Sequence, residues 1–170
     1  MNCEIIYSAR KTVSIKIEKG KVIIKAPVGA SEQEIKKIVI KHKAWIEKAL
    51  EREKLKREKY ESVSEAEVKL LKQQAKLYFN NLCEKYAALM GVSYKRITVT
   101  SAKKRFGSCS SEKNISFSYL LMLYPEAARE YVAVHELAHL IEMNHSKRFY
   151  AIIEKYLPDY RERKKLLKVN

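Results

Sequence analysis

The sequence predicts an α+β protein in two parts. Three observations carry that prediction: a strand pair of period two near the start, long helical patterns opened by capping boxes, and a second set of short strands ahead of a helix bearing two histidines four apart. The 170 residues, 46% of them hydrophobic, suffice for one domain or two small ones.

In the first part, Thr12-Val13-Ser14-Ile15-Lys16-Ile17-Glu18 alternates polar and apolar. Val22, Ile24 and Ala26 alternate again after a turn at Lys19-Gly20, which reads as a β-hairpin. Pro27-Val28-Gly29-Ala30 ends the alternation, and Ser31 with Glu34 forms a capping box for a single helix running towards residue 59. Ile35, Ile38, Val39, His42, Trp45, Ile46 and Leu50 mark its apolar side, so His42 reads as a packed or partly exposed helix residue, not a ligand. The charged stretch from Glu51 to Lys59 is expected to project into solvent. Periodicity lapses at Glu61-Ser62-Val63, which places a boundary near residue 62 between an N-terminal part, 1–62, and a second part, 63–170.

The second part repeats the helix-opening device at Ser64 and Glu67, for a helix through Met90 that Gly91 ends. Arg96–Thr100 and Asn114–Ser118 read as strands separated by a loop that contains Arg105-Phe106-Gly107-Ser108-Cys109. Pro125 suits the first turn of a helix over about 126–142, and Ser146 and Pro158 mark two further helix starts. No internal repeat or low-complexity stretch is evident.

Composition narrows the function classes. No run approaches the roughly eighteen uncharged apolar residues of a membrane span, and the opening residues lack the basic and apolar regions of a signal peptide. Cys3, Cys83 and Cys109 are odd in number and far apart, which suits reduced thiols and a cytoplasmic setting. The formal charge of +15 is spread, with 16 basic against 8 acidic residues in 1–60 and 19 against 12 in 61–170. Such a surface favours nucleic acid or another polyanion as a partner, and serves equally as plain solvation.

The chemistry lies in His135-Glu136-Leu137-Ala138-His139. Residues four apart on a helix differ by about 40° in azimuth, so both imidazoles can face one ion while Glu136 stands beside its open position, placed to take a proton from water. Catalytic zinc takes three protein ligands. His145, six residues on, supplies the third if the chain turns back near Met143-Asn144, where a left-handed Asn would serve. With 4 histidines in the chain, an accidental match to this pattern is expected in roughly one such sequence in a hundred. The residues thus point to one zinc per chain held by His135, His139 and His145, with Glu136 as general base. Glu154 is an alternative third ligand, and Cys109 a candidate ligand of a latent state.

Val134-His135-Glu136-Leu137-Ala138-His139-Leu140, Asn144-His145-Ser146, Phe149, Pro158–Arg163 and Arg105–Cys109 together resemble the YgjP-like metallopeptidase family, related to WLM and SprT-like zincins. Phe106 stands where that family usually has Trp. The resemblance extends over the first part, including Ala26-Pro27 and Trp45-Ile46. It implies a zincin-like catalytic domain over 63–170, a zinc cofactor, the same three histidine ligands, Glu136 as base and a protein or peptide substrate. It also implies that Asn114–Ser118 is an exposed edge strand pairing with the substrate. A metzincin would need Gly where this chain has Glu142, which excludes that group. Tyr119, Tyr150, Tyr160 and Arg105 are candidate donors to a developing oxyanion. Two other readings keep the histidines: a zinc hydrolase of phosphate esters or nucleotides, and a basic nucleic-acid-associated protein with a non-catalytic metal site.

Overall fold

The computed structural model describes residues 3–168, so the outermost ends of both expected parts, at residues 1 and 170, lie outside the described residues. The architecture is mixed α and β, with two compact units, one ending at Ser62 and the other running over Val63–Lys168. Among the described residues no helix is long and apolar enough to cross a membrane.

The first unit holds a three-stranded sheet in the order β1-β3-β2, made of β1 (Cys3–Ser8), β2 (Ser14–Glu18) and β3 (Lys21–Pro27). The hairpin β2-β3 is antiparallel, with Glu18 opposite Lys21. Lys19 and Gly20 between them both take positive φ, 53° and 73°, the twist that suits a two-residue turn. β1, which the pattern does not announce, runs parallel to β3 with all six residues exposed. Val22, Ile24 and Ala26 are buried on β3 and meet Ile35 and Ile46.

Those two isoleucines belong to separate helices. Instead of one helix there are α1 (Glu32–Lys41) and α2 (Lys43–Glu61), divided at an exposed His42 with φ −102° and ψ 11°. A straight helix from 32 to 59 would be about 40 Å long, roughly twice the span of strands five to seven residues long. The bend keeps Ile35 and Val39 as well as Ile46 and Leu50 on the same small core. The charged half of α2 is largely exposed, as expected, and Glu53 within it accepts a hydrogen bond from the Lys19 backbone N–H at 2.7 Å, which braces the hairpin turn.

The second unit opens with α3 (Glu65–Met90), begun by the Ser64–Glu67 capping box and ended by Gly91 at φ 66°. It buries Ala75, Phe79, Cys83, Tyr86, Ala87 and Met90, one stripe at helical spacing. Phe79 stacks on Phe117 with ring centroids 4.2 Å apart, which joins α3 to the second sheet. That sheet contains β4 (Arg96–Thr100), β5 (Gly107–Cys109) and β6 (Asn114–Ser118) in the order β4-β6-β5. Two expectations are corrected here. The expected loop at 105–109 includes a short strand, and β6 is the central strand, parallel to β4 and antiparallel to β5, so the edges are β4 and β5, of which β5 packs against the helix that carries the histidines. A 3-10 turn (Tyr119–Leu123) leads to α4 (Glu126–Ala138), then α5 (Lys147–Tyr156) and α6 (Tyr160–Lys165).

Candidate metal centre

Apolar side chains bury α4 on nearly every side, including Tyr131, Val132, Ala133, Val134, Leu137 and Ala138. The helix packs against α3, the 3-10 turn and β5. Pro125 precedes it as the N-cap residue, and its last helical residue is Ala138, four short of the expected end. His139 is the C-cap and keeps right-handed helical angles, φ −65° and ψ −19°, so the i,i+4 relation with His135 survives.

The chain then turns through short hydrogen bonds, Leu140 N–H to Leu137 O at 3.0 Å and Ile141 N–H to Ala138 O at 3.0 Å. Asn144 does not adopt the left-handed conformation; among the described non-glycine residues only Lys19 and Lys113 have positive φ. Ser146 accepts from the Phe149 N–H at 3.3 Å and starts α5, which leaves His145 immediately ahead of that helix, facing back to α4.

The three imidazoles form a nearly equilateral group, with ring centroids 5.0 Å (His135–His139), 5.0 Å (His135–His145) and 4.8 Å (His139–His145) apart. One nitrogen of each lies within 4.8 Å of the others, and Nε2 of His135 is 3.1 Å from Nε2 of His145. Tetrahedral zinc with bonds near 2.05 Å holds its nitrogens about 3.3 Å apart, and the His135–His145 separation of 3.1 Å fits such an ion. The outer nitrogens are occupied: Nδ1 of His139 lies 3.2 Å from the Glu142 carbonyl oxygen, and Nδ1 of His135 3.5 Å from the Tyr131 hydroxyl. That leaves Nε2 of both free to ligate, as metal-bound histidines require.

Burial, helped by His139, His145 and Lys164, pushes the His135 imidazole down to about 3. Burial likewise lowers His139. Both are therefore neutral near pH 7, the form that binds metal. A donor set of three imidazoles with no thiolate or carboxylate suits zinc and its first-row neighbours.

Glu136 stands apart from this triangle, 5% exposed, and burial raises its carboxyl to about 8 against an opposing effect of Arg105. Its other wall is strand β5. A Cβ placed on Gly107 would come within 2.5 Å of Glu136 Oε1 and 2.8 Å of its Cδ, so only glycine lets the edge strand lie so close.

The remaining candidates separate clearly. Glu154 is exposed and pairs with Arg161 at 3.4 Å, outside the histidine group. Cys109 also lies outside it, with Sγ directed to the Ser110 carbonyl oxygen, and burial and Glu136 raise its thiol pKa. Tyr119 and Tyr160 are buried, and exposed Arg105 acts electrostatically on Glu136.

Phe149 had no assigned role, yet its fully buried ring contacts all three histidines at centroid distances of 4.9, 4.5 and 4.8 Å. The signal lay in the sequence: an aromatic residue three after the N-cap Ser146 and four after His145 sits on the first turn of α5, directly over the group. Behind the site Arg163 donates to Glu130 at 2.5 Å and to Asp159 at 2.7 Å, while Tyr86 donates to Glu130 at 3.0 Å, tying α6 and α3 to α4.

Comparison with known proteins adds an independent finding. The model of a family described as YgjP-like, metallopeptidase domain, matches residues 11–69 and 51–170. Among solved structures, the metallopeptidase zymogen abylysin of Pyrococcus abyssi is 22% identical, with a TM-score of 0.47 over 51% of this chain and 89% of that one. The metallopeptidase zymogen jannalysin of Methanocaldococcus jannaschii is 18% identical, with a TM-score of 0.46 over 51% and 90%. No curated protein matches.

Proposed function

The chain belongs to the YgjP-like metallopeptidase family, and on that premise we propose that it cleaves peptide bonds with one zinc ion held by His135, His139 and His145 and with Glu136 as general base. The observation that supports this most is the convergence of three imidazoles, with Nε2 of His135 and His145 3.1 Å apart, beside one buried carboxyl.

Zinc bound there would lower the pKa of a coordinated water to about 7 and polarise the scissile carbonyl. The chain's own residues do the rest. A carboxylate oxygen of Glu136 takes the proton of the attacking water and returns it to the leaving amine. Burial against β5 fixes that carboxyl in place next to the histidine group. The edge strand β5 pairs only with β6 among the described residues, so its outer side can take an extended substrate by main-chain hydrogen bonds. Arg105, just ahead of β5 and electrostatically coupled to Glu136, is the donor we favour for the developing oxyanion.

Zinc content by mass spectrometry tests the ligand set. Wild type is expected to carry one zinc per chain, and His145→Ala to lose it while staying folded. Retention of zinc by that variant would reject His145 as a ligand. Peptide turnover should fall roughly a hundredfold to ten-thousandfold in Glu136→Gln, the range for loss of a general base. A hydrolase of phosphate esters would use the same centre, and the cations of α6 beside it favour that second reading. Release of phosphate in place of peptide fragments distinguishes the two.

A further inference from the structure

Next to the metal centre lies a cavity of about 340 Å³ lined by Tyr150, Tyr160, Arg161, Lys164, Lys165 and Lys168. Four cations and two phenols form it, with no carboxylate in the lining. Its aromatic wall is continuous with the histidines. Tyr131, at 3.5 Å from His135 Nδ1, stacks on Tyr160 at 6.4 Å; Tyr160 stacks on Tyr150 at 6.0 Å, and Tyr150 on His145 at 6.3 Å. The rings that brace two of the three histidines are thus the rings a molecule in the cavity would touch.

The charge of the cavity is only partly compensated. Arg161 pairs with Glu154 at 3.4 Å and Lys165 with Glu162 at 2.7 Å. The Lys164 ammonium lies 5.7 Å over the Tyr150 ring and has no carboxylate partner among the described residues. The wall is also fixed in place, since Tyr160 is 6% exposed and Arg163, three residues on, ties α6 to Glu130. A positive pocket on a rigid wall is pre-formed for an anion.

Resting on the peptidase reading above, we infer that this cavity binds a carboxylate of the peptide substrate, supplied by an acidic side chain near the scissile bond or by the free C-terminus. Reach agrees with this. An extended peptide advances about 3.3 Å per residue, so the 6.3 Å from the His145 ring to the Tyr150 ring corresponds to about two residues. An acidic residue two positions from the bond cut at the centre therefore reaches the Tyr150 ring, over which the Lys164 ammonium lies at 5.7 Å.

The test separates this inference from the peptidase reading by measuring binding without turnover. Zinc-loaded Glu136→Gln protein is titrated by fluorescence anisotropy with matched labelled peptides, one pair differing as Glu against Gln and the other as free C-terminal acid against amide. The carboxylate member of one pair is expected to bind about tenfold more tightly, and which pair discriminates identifies the source. Arg161→Glu combined with Lys164→Glu should abolish or invert that ratio, while Lys69→Glu on α3 leaves it intact. Should the double variant not fold, Lys164→Met must still cut the ratio by about threefold.

Equal affinities in both pairs, or a preference that survives charge reversal, overturn the subsite. So does displacement of the peptide by tripolyphosphate at concentrations where succinate has no effect, because the ligand would then be a phosphate. Wild-type turnover is read separately. Discrimination without any cleavage keeps the subsite and rejects the peptidase, and cleavage without discrimination does the reverse.

Discussion

The two sheets of this chain have the same topology and opposite uses. In each the last strand is central, parallel to the first and antiparallel to the second: β1-β3-β2 in the first unit, β4-β6-β5 in the second. The difference lies in the second strand of each set. β2 presents Ile15 and Ile17 to a core of Val22, Ile24, Ala26, Ile35 and Ile46. β5 is Gly107-Ser108-Cys109, three small residues, and the space they leave is taken by the carboxyl of Glu136. One architecture serves as a packed support where its second strand is large, and admits chemistry where that strand is small.

A pair of single substitutions breaks this comparison most directly. Ile24→Ala, at a position 1% exposed in the first core, should cost about 2–5 kcal/mol in urea unfolding with zinc per chain unchanged. Gly107→Ala should behave oppositely. Gly107 has no positive φ, so its backbone suits alanine, and the penalty comes only from the new Cβ meeting Glu136. A displacement of that carboxylate by about 1 Å should lower turnover about a hundredfold with the fold kept. If Gly107→Ala left turnover unchanged, the small edge strand would not be what positions Glu136.

Titration sharpens the same contrast with a smaller effect. Burial raises the Glu136 carboxyl from 4.5 to about 8, so in metal-free protein it holds its proton more tightly folded than unfolded. Its contribution to stability is full below pH 4.5 and is lost as pH rises through 8. His135, pushed down from 6.5 to about 3, acts the other way: its contribution is full above pH 6.5 and is lost as pH falls towards 3. Metal-free wild type should therefore lose on the order of 3 kcal/mol between pH 5 and 8.5 relative to metal-free Glu136→Gln. Parallel pH profiles for the two proteins would mean that Glu136 is solvated rather than enclosed by β5.

How much of this was legible in the sequence follows the range of the interactions concerned. Local devices were readable: the Ser31–Glu34 and Ser64–Glu67 capping boxes, Gly91 as a left-handed terminator, and two histidines one helical turn apart. Features fixed by a distant partner were not. β1 is exposed along its whole length and exists because β3 lies beside it, and β5 is too short to show a period. The bend at His42 has no Gly or Pro to announce it, and follows from a core shorter than the helix. The misplaced edge had the same origin: alternation along Asn114–Ser118 marks a strand, but order within the sheet is set by Phe117 stacking on Phe79 and by pairing on both sides. Phe149 carries no donor atom to mark it, since its ring packs on the histidines and can coordinate nothing.

The smallest expected effect concerns Tyr131, which lies against one of the three proposed ligands and has no counterpart in the first sheet. Its hydroxyl lies 3.5 Å from His135 Nδ1, a long contact, while the Glu142 carbonyl oxygen holds the equivalent nitrogen of His139 at 3.2 Å. A neutral imidazole that donates from Nδ1 keeps Nε2 unprotonated and aimed at the ion, so loss of that partner weakens the ligand without removing it. Tyr131→Phe retains the ring that stacks on Tyr160 and removes only the oxygen. Zinc affinity measured by chelator competition should therefore fall about tenfold, the low end for such supporting groups, with unfolding by urea little changed. A loss as large as that of His145→Ala would make the hydroxyl a ligand in its own right, whereas no loss would leave Phe149 and burial as sufficient to orient His135.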